Sequence, residues 1–168
     1  THTIAFVADI HLLDIYADYE NFEGLPVPGQ SQKAKIRTMQ AQLHSTRLFN
    51  ENYFVLKAVL DDIAQRGIKL VAFPGDYTDD GQPLNIEGLA KILKNYEQQY
   101  GISFFITTGN HDPVAPYNTS GGKPDFLGKN GKEQAIFSNV LSLPLEERSD
   151  VLLEPKLEKA GYKFILHS

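Results

Sequence analysis

Cysteine is absent from the 168-residue sequence, which excludes disulfides and thiolate metal sites and leaves oxidising and reducing compartments equally open. Positive charge is not in excess either: 16 basic against 21 acidic residues give a formal net charge of -5 and a pI near 5.5. Without an overall basic field, the composition argues against nucleic acid as a partner held by extended phosphate contacts. Long apolar runs are also missing. None approaches the ~20 residues that span a bilayer. The first residues show no basic segment followed by a long apolar one, so any signal peptide is expected to have been removed or never to have existed. Compartment stays open: a soluble chain, cytoplasmic or exported.

What is present describes a globular protein. A hydrophobic content of 42% with modest charge at this length fits one domain with a real core, read as residues 1–168. Three short stretches organise it, each at the carboxyl end of an apolar run: AFVADIH (Ala5 to His11), LVAFPGDYTD (Leu70 to Asp79) and FFITTGNHD (Phe104 to Asp112). In an α/β protein the carboxyl ends of parallel strands open onto one crevice, where distant residues converge.

Thr3 to Ala8 reads as a strand buried on both faces. Asp9 and His11 follow it, and a spacing of two in extended backbone puts carboxylate and imidazole on one side. Taken singly, Asp9 also reads as a turn or cap residue and His11 as a hydrogen-bonded core histidine. Leu12 to Asn50 reads as an insertion: aromatic and acidic at first (Tyr16, Asp18, Tyr19, Glu20, Phe22), then GLPVPGQ, then polar and helix-tolerant from Gln32 to Leu48. Covering substrate and plain surface elaboration are equal alternatives for it. His44 within it reads as a surface histidine.

From Asn52 to Arg66 the residues Val55, Leu56, Val59, Leu60 and Ile63 keep helical spacing, with Gly67 as the cap. Ile68 to Phe73 is a second strand, leading to Pro74, Gly75 and Asp76, while Asp79 and Asp80 read as turn aspartates. Asn85 to Gln99 is a second helix closed by Gly101, and Ile102 to Thr107 a third strand ending in Gly109, Asn110, His111 and Asp112. Strand, helix, strand, helix, strand implies parallel pairing with right-handed crossovers. Beyond Pro113, the stretch APYNTSGGKPDFLGKNGKEQ reads as loop, with Lys123, Lys129 and Lys132 solvated and a glycosylation sequon at Asn118. Lys132 to Leu141 and Pro155 to Ala160 look helical, and GYKFILHS reads either as a fourth strand ending at His167 or as helix.

Two carboxylates, two imidazoles and an amide suit manganese, iron or zinc better than calcium. Asp76, on the middle strand, is placed to bridge two ions through its two oxygens. Two such ions ~3.5 to 4 Å apart generate a hydroxide at neutral pH and clamp both oxygens of an in-line phosphoryl displacement.

Asp9-x-His11, Gly75-Asp76-x-x-Asp79 and Gly109-Asn110-His111-Asp112 resemble, in order and position, the first three signatures of the calcineurin-like metallophosphoesterase superfamily. The match covers roughly residues 4 to 112. The resemblance implies an α/β fold, a metallophosphoesterase-type β-sheet core flanked by helices. By the same resemblance Asp9 and His11 would hold the first ion, Asp76 would bridge, and Asn110 would hold the second. His111 would stand by the leaving group as proton donor or charge stabiliser, and Asp112 would orient its ring.

Two departures qualify it. The gap from His11 to Gly75 is longer than in compact members, and the family's later Gly-His-x-His pair is missing. His167 is a candidate for one later ligand. The chain is therefore expected to be the amino-terminal half of a larger enzyme, inactive alone and acting, when complete, on a small phosphodiester or phosphomonoester. The rival reading is a non-catalytic interaction scaffold with the same fold, which has no need to keep all five donors.

Overall fold

The apolar runs become neighbouring parallel strands in the computed structural model, which describes residues 2–19, 22–79, 81–107, 109–112, 122–137 and 163–164. In chain order the elements are β1 (Ile4–Phe6), β2 (Leu25–Pro26), β3 (Lys33–Ala34), α1 (Met39–Leu43), α2 (Asn52–Gln65), β4 (Leu70–Phe73), α3 (Pro83–Tyr100), β5 (Ser103–Ile106), β6 (Gly122–Leu127), β7 (Glu133–Phe137) and β8 (Lys163–Phe164). The main sheet has the order β1-β4-β5-β8, and every pairing in it is parallel. Its register sets Ala5 beside Val71 and Val71 beside Phe104, so the three strands end level and their exits share one edge.

Helices α2 and α3 are the crossovers. Leu56, Leu60 and Ile63 of α2 and Ile86, Leu89, Ile92, Leu93 and Tyr96 of α3 bury one stripe each, in a single core with Val71, Phe73, Phe104 and Ile106 of the sheet. Each fully buried aliphatic side chain contributes about 1.5 to 3 kcal/mol. The Tyr96 hydroxyl donates to Asp61 at 2.6 Å, which fixes the helices side by side. Both helices stop on a glycine with positive φ. After α2 the Gly67 N–H donates to Ala64 O and the Ile68 N–H to Ile63 O, the paired bonds of a Schellman turn. After α3, Gly101 takes φ 62°.

β1 differs from its expectation. Only Ala5 turns toward the core, while Ile4 and Phe6 are 49% and 72% exposed. Side chains alternate along a strand, and among the described residues the helices cover one face.

Residues 12–50, expected as an insertion, are not surface elaboration alone. Leu13, Ile15, Phe22 and Phe49 form a second core with Phe126 of β6. The backbone joins as well: Lys35 N–H donates to Ile15 O, Thr38 N–H to Asp125 O and Leu127 N–H to Ile36 O. Its helix-tolerant part yields one short helix, α1, capped by Thr38, whose side chain accepts from the Ala41 N–H at 3.2 Å.

The stretch read as loop contains β6, and residues 133–137, expected in a helix, are strand β7, antiparallel to β6. The reason is turn chemistry. Gly131 at φ 74° and Asn130, whose side chain accepts from the Lys132 N–H at 3.0 Å, close a tight connection that favours a hairpin over helix entry. β8 pairs in parallel with β5, in line with the fourth-strand alternative. Residues 138–141, 155–160, the Asn118 sequon and His167 lie outside the described residues.

Candidate metal centre

The backbone leaving β1 does not diverge from that leaving β4; the two loops run on side by side. Val7 N–H donates to Ala72 O, Asp9 N–H to Gly75 O, His11 N–H to Asp76 O and Leu12 N–H to Tyr77 O. Asn52, at the start of α2, donates from its side chain to Ile10 O at 2.7 Å and holds the first loop down. The third loop joins through His111, whose N–H donates to the Asp76 carboxylate at 2.8 Å. Gly109 approaches so closely that a Cβ there would lie 2.3 Å from Asp76 Oδ1, a position only glycine fills.

Asp9, His11 and Asp76 come together: each offers one ligand atom, and these atoms lie within 4.8 Å of one another. The extended-strand argument for Asp9 and His11 is corrected in one respect. Both lie beyond the end of β1, and Asp9, His11 and Asp76 take φ values of 54°, 44° and 51°. Left-handed backbone at non-glycine residues costs of order 1 to 3 kcal/mol each and clusters at functional sites. Here these three are the only non-glycine residues with positive φ among those described.

The donor set, two carboxylates and an imidazole, fits a divalent cation. His11 Nδ1 is buried without a hydrogen-bond partner among the described residues, an unsatisfied polar atom inside the donor cluster. Burial, and next the Arg47 guanidinium, hold the His11 imidazole below its ordinary pKa, which favours the neutral ring that binds metal.

Asn110 is exposed on the turn between Gly109 and His111. The His111 ring stands edge-on to His11, with centroids 5.1 Å apart. Asp112, expected to orient that ring, braces the loop backbone. Its fully buried carboxylate accepts the N–H groups of Asp76, Tyr77, Thr78 and Gly109 and the Thr78 hydroxyl, at 2.6 to 3.2 Å. It ties the second and third loops together. Burial raises its pKa, opposed by those N–H donors.

Asp79, read as a turn aspartate, is fully buried and gathers cations. Arg37 Nη1 lies 3.0 Å from it, Arg47 Nη1 3.1 Å and Lys123 Nζ 3.7 Å. Arg37 is also held by both oxygens of Asp125, at 2.5 and 2.7 Å, and lies 3.8 Å over the Phe49 ring. Arg47 Nη2 reaches 3.0 Å from each ring nitrogen of His111. Lys123 is thus half-enclosed rather than solvated, whereas Lys129 and Lys132 are exposed. None of these partners was visible in sequence, because Asp79 meets Arg47 and Arg37 across separations of 32 and 42 residues.

No helix among the described residues is long and apolar enough to cross a membrane. The chain is similar to a tRNA-2-methylthio-N(6)-dimethylallyladenosine synthase of Photobacterium profundum, 28% identical over 118 residues. That alignment takes in 70% of this chain and 23% of the relative, so the chain spans less than a quarter of that protein's length. The model of the calcineurin-like phosphoesterase family matches residues 2–164. With that match over nearly the whole sequence, the chain belongs to the calcineurin-like phosphoesterase family.

Proposed function

We propose that Asp9, His11 and Asp76 hold a divalent cation, that Asp76 is shared with a second ion carried by Asn110, and that the site hydrolyses a small phosphodiester or phosphomonoester. The observation that carries this reading is the convergence of three ligand atoms within 4.8 Å on backbone held at positive φ. Divalent cations supply, when bound, an activated water at neutral pH and positive charge opposite the phosphoryl oxygens. The chain's own residues do the rest. His111 faces the leaving group as proton donor or charge stabiliser, and Asp112 fixes the loops that present Asp76 and His111. The similarity to the tRNA-directed synthase covers too little of that protein to bring its activity here.

The test is hydrolysis of bis(p-nitrophenyl) phosphate and p-nitrophenyl phosphate by manganese-loaded protein, beside Asp76→Asn. Asp76→Asn is expected to lower turnover by about 100-fold or more, since loss of even an outer partner of a metal ligand costs about 10- to 100-fold. Equal rates, both above the protein-free blank, would remove Asp76 from the chemistry.

A further inference from the structure

Arg47 comes from the insertion, yet its guanidinium ends at the ring of His111 rather than in the second core. We infer that Arg47 is the anion-recognition residue of the site, receiving the non-bridging oxygens of the phosphoester on a guanidinium that the buried Asp79 carboxylate holds in place. The inference rests on the phosphoesterase reading and adds to it the contribution of the insertion.

Three observations point the same way. One end of the guanidinium is fixed, with Nη1 3.1 Å from a carboxylate that is 0% exposed, while the Arg47 side chain remains 19% exposed. The other end stands 3.0 Å from His111, whose ring is 5.1 Å from that of His11, so the cation borders the metal-ligand cluster. Asp79 is itself immobilised by Arg37, which Asp125 grips through both oxygens, so the support is ordered before any ligand arrives.

The Arg47 ion pair with Asp79 repeats one that Arg37 already makes. Arg37 binds both Asp79 and Asp125 of β6, and it is the more enclosed of the two arginines, at 7% exposure. An imidazole gives a guanidinium one neutral acceptor, whereas a phosphoryl group gives the planar fork charged oxygens in matching geometry. Lys123, 3.7 Å from the same carboxylate, adds positive charge on the β6 side.

Inorganic phosphate is the probe, titrated calorimetrically into the manganese-loaded chain, with manganese affinity and melting temperature measured for every variant. Arg47→Ala is expected to raise the phosphate Kd by at least about tenfold, the scale of a lost charge-assisted hydrogen bond, with manganese affinity unchanged. Arg47→Lys, which keeps charge without the fork, is expected to fall between. Arg66→Ala, an exposed arginine at the end of α2, should match the wild type. An unchanged phosphate Kd in Arg47→Ala overturns the assignment and leaves the phosphoesterase reading standing. So does a loss of manganese affinity in step with phosphate, which marks a structural role. Should Arg47→Ala fail to fold, Arg47→Lys decides, and a wild-type Kd there overturns the assignment. Wild-type protein that binds manganese but not phosphate overturns the assignment alone; wild-type protein that binds neither overturns the phosphoesterase reading and this inference with it.

Discussion

Strain at Asp9, His11 and Asp76 is where function competes with stability. Asp9 is the cleanest place to measure it, because its side chain is 75% exposed and its backbone sits at φ 54°. Glycine adopts that conformation without a Cβ clash. Asp9→Gly is therefore expected to gain about 0.5 to 1 kcal/mol in urea unfolding while losing metal affinity by tenfold or more, roughly the balance of strain relief against chain entropy. A destabilised variant with intact affinity contradicts that view. Asp112 behaves oppositely. Asp112→Ala strands four backbone N–H groups and a hydroxyl in a buried place, and about 3 kcal/mol or more should be lost.

His11 sets a pH dependence. Its folded pKa lies below 6.5, from burial first and Arg47 second, so the folded state binds that proton less readily than the unfolded chain. The group's stability contribution is complete above 6.5 and is lost as pH falls through the folded value. Metal needs the same neutral ring. Manganese affinity followed from about pH 8 to about pH 5 should fall with a midpoint below 6.5; a midpoint at or above 6.5 contradicts a depressed His11.

Elements were legible where spacing and punctuation agree. Leu56, Leu60 and Ile63 before Gly67, and the α3 stripe before Gly101, announce two helices and their ends. The hairpin was not legible from apolar pattern, because Glu133, Gln134 and Ala135 fit either state and the turn at Gly128 to Gly131 decided it. The loops obey a different rule: close approach. Gly109 lies against Asp76, so Gly109→Ala must push the second and third loops apart. Expected outcomes are a loss of about 1 to 3 kcal/mol, as for overpacking, and a fall in metal affinity; calorimetric titration checks the second. Wild-type values would show that the loops yield freely.

For the whole molecule, Asp9, His11 and Asp76 were readable because each follows a strand in a parallel sheet, and such exits must share an edge. The cationic network was unreadable because Arg37 and Arg47 in residues 12–50, Asp79 after β4 and Asp125 in β6 lie on three separate segments that only folding brings together. Asp79→Ala is expected to destabilise by about 3 kcal/mol, the cost of removing the buried carboxylate that three cations share. Guanidinium unfolding checks it, and a change under about 0.5 kcal/mol, typical of plain surface sites, would contradict it.

The central claim is that Asp9, His11 and Asp76 bind one metal ion jointly. Anomalous diffraction from crystals grown with manganese or zinc tests it directly. Joint binding requires a peak about 2.0 to 2.2 Å from an Asp9 oxygen, a His11 nitrogen and an Asp76 oxygen; a map with no peak there, or with its strongest peak elsewhere, contradicts it.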